Sequence, residues 1–123
     1  MIKLYNLIRK IKEEELTHCE IPSSVTEIGA DAFAGCTSLT SINLPGSVTS
    51  IGRAAFFGCT GLTSITLPDS VKEIGEGAFY GCTRLSSINI PNTVKTIGVE
   101  AFVRCTSLTS ITLPSSVIEI ARS

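Results

Sequence analysis

Pro22, Pro45, Pro68, Pro91 and Pro114 follow one another at intervals of 23 residues, and so do Cys36, Cys59, Cys82 and Cys105. A fixed period in this range marks a solenoid, in which one short unit is stacked on copies of itself because no single copy can bury its own inner side chains. Superposed, the copies read L-x-x-I-x-L/I-P-x-S/T-V-x-x-I-G-x-x-A-F-x-x-C-T-x, starting at Leu16, Leu39, Leu62, Leu85 and Leu108. The reading therefore divides the chain into an amino-terminal segment, 1–15, and a solenoid, 16–123, whose last copy is incomplete.

Each column of the repeat has a local preference. In "SINLP", Ile42 and Leu44 alternate with Ser41 and Asn43, which is strand periodicity with one face inward and one in water. Proline gives no N–H to a ladder, so it suits the point where each strand leaves its sheet. "SVTSIG" sends Val48 and Ile51 inward as a shorter extended arc, and its glycine (Gly29, Gly52, Gly75, Gly98) is expected in a backbone conformation costly for other residues. Ala55, Phe56 and Cys59 then fall at i, i+1 and i+4, as one helical turn facing inward would place them. A strand, a crossover and a parallel strand wind right-handed. Cys19 stands where the other copies have Ile42, Ile65, Ile88 and Ile111, so it is a substituted core position.

Composition removes several classes of function. Ten Lys and Arg against eleven Asp and Glu give a net charge of −1, and no basic face is available for a phosphate backbone. No nucleic-acid partner is expected. No apolar run approaches the ~20 residues that cross a bilayer, so no membrane span and a soluble chain are expected. Lys3, Arg9, Lys10 and Lys12 interrupt the apolar residues near the amino end, which therefore lacks the apolar core of a signal peptide.

The register of "LTSINLP", "SVTSIG" and "AFxGC", recurring from about Leu16 to Ile120, resembles the BspA-like leucine-rich repeat family. The resemblance implies an α/β leucine-rich-repeat solenoid with its parallel β-sheet on the concave side and extended arcs and single helical turns on the convex side. It also implies protein binding in adhesion at a cell surface, without catalysis.

Candidates for chemistry are few. Cysteines in phase from coil to coil form a ladder about 5 Å apart, which is within reach of a disulfide but also the pattern of small buried hydrophobes, the favoured reading. A straight ladder does not supply the tetrahedron of a zinc site, so no metal and no cofactor are expected. His18 is the only histidine, and no serine or cysteine nucleophile with an orienting carboxylate is recognisable around it. "GEGAFYG", 75–81, has the wrong spacing for a phosphate-binding loop. No catalytic residue is assigned.

Two surfaces remain for binding. The outward strand positions carry His18 and Glu20, Ser41 and Asn43, Ser64 and Thr66, Ser87 and Asn89, and Ser110 and Thr112. Five such strands offer about 300 Å², well below the ~800 Å² per partner of a stable complex. This face lacks the Trp, Tyr and Arg anchors of binding hot spots. The second surface is the column after the inward Phe, where Phe57, Tyr80 and Val103 stack into an apolar stripe.

The ends differ. Leu4, Leu7, Ile8 and Ile11 fall on one face of a helix, with Arg9/Glu13 and Lys10/Glu14 at i, i+4 on the other, and a capping helix over the first coil is expected. At the other end the fifth copy reads "IEIARS" and leaves Ile111, Leu113, Val117 and Ile120 to line an unfinished coil. Leaving such side chains in water forfeits ~1.5–3 kcal/mol each. Either the array continues in a longer chain or a second molecule covers these side chains; a homo-oligomer is expected, by two-fold pairing or by head-to-tail stacking into filaments.

Overall fold

The computed structural model describes the backbone of residues 2–115, 117, 119 and 120, and the side chains of 4–115 and 117. Helix α1 (Ile2–Glu14) leads into nine short strands: β1 (His18–Glu20), β2 (Glu27–Ile28), β3 (Ser41–Asn43), β4 (Ser50–Ile51), β5 (Ser64–Thr66), β6 (Glu73–Ile74), β7 (Ser87–Asn89), β8 (Thr96–Ile97) and β9 (Glu119–Ile120). The first four coils each contribute one strand to each of two parallel sheets and the fifth contributes β9 to the second alone, giving the orders β1-β3-β5-β7 and β2-β4-β6-β8-β9. Pairing is in repeat register, His18 opposite Ser41 and Ser64 opposite Ser87. The arc expected to be a shorter extended segment is thus a second ladder, with Ile28, Ile51, Ile74 and Ile97 following one another.

The first sheet has four strands where the repeat predicts five. Residues 110–112 form no strand, although the same coil supplies β9 to the second sheet. Ser110 and Thr112 are therefore not part of the face that Ser41 to Asn89 share.

Between the sheets runs one continuous core. Phe33, Phe56, Phe79 and Phe102 stack with ring centroids 5.3, 5.3 and 5.6 Å apart and planes within 11° of parallel. Leu39, Leu62 and Leu85, Val48, Val71 and Val94, and Ala55 and Ala78 are buried beside them. Leu4 and Ile11 of α1 belong to the same buried cluster, with Leu7 and Ile8 packed against it.

Two motif residues have a backbone task that the pattern did not disclose. The hydroxyls of Ser47 and Thr93, in the Ser/Thr column after proline, donate to Val25 O and Val71 O one coil back, both at 2.7 Å. The thiols of Cys59, Cys82 and Cys105 donate to the carbonyls of Phe33, Phe56 and Phe79 at 3.0–3.1 Å. All five cysteines are free and buried.

The segment expected to be one helical turn is built differently. Ala54, Phe56 and Gly58 donate their N–H groups to Glu76, Ala78 and Tyr80 of the next coil, at 2.8–2.9 Å. The alternate amides of Ala55, Phe57 and Cys59 close short i→i−3 turns on Gly52, Ala54 and Phe56. An α-helical turn needs i→i−4 bonds, and stacking takes every second amide away from them. Positive φ at Ala54 (54°) and Gly58 (70°) breaks the helical path.

The glycine of the arc also has a different reason from the one expected, because Gly29, Gly52, Gly75 and Gly98 do not have positive φ. Gly52 and Gly75 donate to Ile28 O and Ile51 O at 2.7 and 2.8 Å. This draws the coils so close that a Cβ on either would lie 2.7 Å from the preceding backbone. Close approach, not dihedral freedom, selects glycine there.

Candidate functional site

The alternation of β1 and β3 puts His18, Glu20 and Asn43 on the exposed face of the first sheet, with Ser41 half-buried beside them. The parallel register sets His18 against Ser41 and Glu20 against Asn43, and the four side chains join. Ser41 Oγ lies 2.7 Å from His18 Nδ1, and His18 Nε2 lies 2.7 Å from Glu20 Oε2. Asn43 Nδ2 donates to the same carboxylate oxygen at 2.6 Å. Hydrogen bonds from His18 and then from Asn43 hold the Glu20 carboxyl below its ordinary value of 4.5. Two donors on an ionised carboxylate favour that form.

The sequence reading found no nucleophile and carboxylate around His18, whereas the fold places Ser41 on one ring nitrogen and Glu20 on the other. In the tautomer that donates from Nε2 to Glu20, Nδ1 accepts the Ser41 hydroxyl proton. Acyl transfer also needs donors aimed at a developing oxyanion. The amide of Ser41 is committed to Thr17 O at 3.2 Å, and the imidazole and carboxylate stand in water. The arrangement is an ordered polar patch at the α1 end of the face.

Farther along, Ser64, Thr66, Ser87 and Asn89 are exposed. Asn89 is already engaged: its Oδ1 accepts from Leu67 N at 2.8 Å and its Nδ2 donates to Leu67 O at 3.1 Å. It braces the backbone where β5 ends. Ser110 and Thr112 are exposed but separated from this row, across a cleft of about 460 Å³ lined by Ser86 to Ile90 and by Ser110 to Thr112.

On the outer turns, Phe57 and Tyr80 stack at 5.0 Å with planes 6° apart, and Arg104 Nε donates to Tyr80 Oη at 3.2 Å. Phe57 is 45% exposed, and Val103 is half-buried. In the last coil Ile111 and Val117 are half-buried and Leu113 is 41% exposed. The Ile120 side chain lies outside the described residues.

Burial raises the thiols, Cys19 to about 11 and, in the cysteine column, Cys82 to about 12. Neutral thiols are poor nucleophiles and poor metal ligands. Among the described residues no group of three or more His, Cys, Asp and Glu is placed to hold a metal ion, and no helix is long and apolar enough to cross a membrane.

Comparison with known proteins agrees with this architecture. The sequence pattern of the BspA type leucine rich repeat region matches residues 10–123 in six copies. A leucine rich repeat protein of T. pallidum, TpLRR, is 41% identical with a TM-score of 0.83, over 87% of this chain and 52% of its own. The pneumococcal vaccine antigen PcpA is 28% identical with a TM-score of 0.65, over 86% of this chain and 31% of its own. A leucine rich cell surface protein of Faecalibacterium prausnitzii is 28% identical with a TM-score of 0.58, over 88% and 32%. The chain thus spans about half of the first of these proteins and a third of the others. No curated protein sequence matches it.

Proposed function

The chain belongs to the BspA type leucine rich repeat family, and on that premise we propose that it is a noncatalytic protein-interaction module serving adhesion. The observation that carries this reading is the face of the first sheet. Its side chains project from a backbone fixed by two ladders and a stacked aromatic core, so a partner meets a surface ordered in advance. The His18–Glu20–Ser41–Asn43 patch supplies its one concentration of charge and hydrogen-bonding groups, with Ser64, Thr66 and Ser87 extending the row. The cell-surface description of the F. prausnitzii protein supports an adhesive setting.

Four strands with three exposed positions each present only about 200 Å², against ~800 Å² per side in a stable complex. One face alone binds weakly, and linking copies compensates through effective concentration. A second reading therefore accompanies the first: the chain self-associates through its last coil. The exposure of Leu113 favours it, and so does the contrast between the ends. Leu4 and Ile11 of α1 fill the core at the first coil, and we read α1 as the cap that blocks head-to-tail stacking. Two-fold pairing through the last coils remains, with the Phe57–Tyr80–Val103 stripe as a secondary contact.

The adhesive reading is tested by saturation binding of labelled chain to intact host cells. Ser64→Glu, Thr66→Glu and Ser87→Glu together charge the face without touching the core. Wild type is expected to bind saturably and the triple variant to lose at least tenfold in affinity. Equal binding by both would remove the face from the function.

A further inference from the structure

The first sheet stops one strand early. Thr40, Thr63 and Ser86 each donate an N–H to the carbonyl one coil back, at 2.7, 3.2 and 3.0 Å. Among the described residues the next bond of the series, from Thr109 to Ser86, is not made. Yet the chain is anchored on both sides of the gap. Cys105 Sγ and Ser107 Oγ bond Phe79 O and Thr83 O before it, and β9 pairs with β8 after it. Between these anchors the chain stands off from β7, and the cleft of about 460 Å³ opens along Ser86–Ile90. Ile88 is only half-buried there, whereas the equivalent Ile42 and Ile65 are 4% exposed.

An unpaired strand edge is a template for another strand, and addition to such an edge is an established mode of recognition. The sequence specifies which strand fits. Residues 108–114 read LTSITLP, identical to residues 62–68. The latter contain β5, which already pairs with β7 in the register Ser64↔Ser87, Ile65↔Ile88 and Thr66↔Asn89. Residues 109–113 therefore have a strand-forming sequence whose chemistry matches β7, and they stand detached with Leu113 exposed.

We propose that residues 109–113 of a second copy of this chain enter the cleft and add to the edge of β7, each copy doing so to the other. This rests on the self-association reading and gives it an interface. Every copy carries both the open edge and the matching strand, so the exchange is self-complementary and closes as a two-fold dimer. At the opposite end Leu4 and Ile11 of α1 join the core cluster, with Leu7 and Ile8 packed against it.

The test is amide hydrogen exchange read by mass spectrometry on the 123-residue chain, at concentrations below and above dimer formation, with mass followed by sedimentation. The expected result is a dimer in which the amides of 87–90 and 109–113 gain protection with concentration. Leu113→Asp, at an already exposed position, should raise the dissociation constant about tenfold or more. Ser110→Pro, which removes a strand donor, should do likewise and serves if the first variant proves unstable. A dimer whose 87–90 amides stay unprotected would overturn strand addition and leave self-association standing. A monomer throughout would overturn both. Protection of 87–90 in the dilute monomer would mean that the chain's own segment closes the cleft, and would also overturn the proposal.

Discussion

The glycine column gives the sharpest mutational contrast, because one motif position should respond in opposite ways in two coils. At Gly75 an added Cβ lies 2.7 Å from Arg53 N and from Gly52 C, and 3.0 Å from Gly52 O. These are backbone atoms held by the ladder, so the coils must separate. Overpacking of this kind costs up to about 3 kcal/mol. Replacing Gly by Ala returns about 0.4–1 kcal/mol through the unfolded chain, leaving Gly75→Ala net destabilised by about 2 kcal/mol. Gly29 occupies the same column in the first coil, where nothing lies within 4 Å of its Cβ position. Gly29→Ala should keep only the gain of about 0.4–1 kcal/mol. An unfolding entropy of roughly 0.26 kcal/mol/K for a chain this long makes 1 kcal/mol worth about 4 °C. Thermal unfolding followed by far-ultraviolet circular dichroism should then place Gly75→Ala about 8 °C below wild type and Gly29→Ala 2–4 °C above it. Equal losses at both sites would refute close coil contact as the reason for this glycine and return the explanation to backbone dihedrals.

Phe56→Ala removes the middle of the inner stack and should cost about 3–5 kcal/mol in urea unfolding, whereas Phe57→Ala, one residue on and exposed, should cost under about 1 kcal/mol. The five cysteines should resist Ellman's reagent at pH 8 in the native protein and all react once it is unfolded. Because the folded Cys82 thiol is raised from 9.0 to about 12, its stabilising contribution is whole below pH 9 and lost as pH rises from there toward 12. Urea midpoints should accordingly fall across that window. For Glu20, lowered from 4.5, the sign is opposite: its contribution is present above pH 4.5 and disappears as pH falls through the folded value. Glu20→Gln should leave the urea midpoint at pH 7 nearly unchanged yet shift the His18 ring resonances in nuclear magnetic resonance spectra.

Much of this molecule was legible because its repeat is nearly identical from coil to coil. The alternation of Ser41, Ile42 and Asn43 identified strand, inner face and outer face, and the phase of Cys19 with Ile42 identified a core position, now buried at 2% exposure. Leu4, Leu7, Ile8 and Ile11 announced the helix that α1 forms. What remained hidden depends on neighbouring coils rather than on residues within one. Pattern alone does not tell an arc from a ladder, because the pairing of Ile28 with Ile51 involves a strand of two residues. Nor does it tell a helical turn from stacked short turns, because Ala55, Phe56 and Cys59 point inward in both. The contact of His18 with Ser41 and Glu20 required combining the i, i+2 phase within a strand with the 23-residue phase between strands. The detachment of residues 109–114 had no signal, since LTSITLP is a strand sequence in the third coil and is not one in the fifth.

In the function proposed above, α1 closes one end of the solenoid while the last coil joins another copy, presenting two weak faces as one unit. Light scattering coupled to size exclusion, across a hundredfold range of concentration, tests it most directly. The expected result is a transition from the 13.0 kDa chain to twice that mass, and no further. Persistence of the single chain at high micromolar concentration would contradict the claim, and so would continued growth into polymers, which would show that α1 leaves the first coil open to stacking.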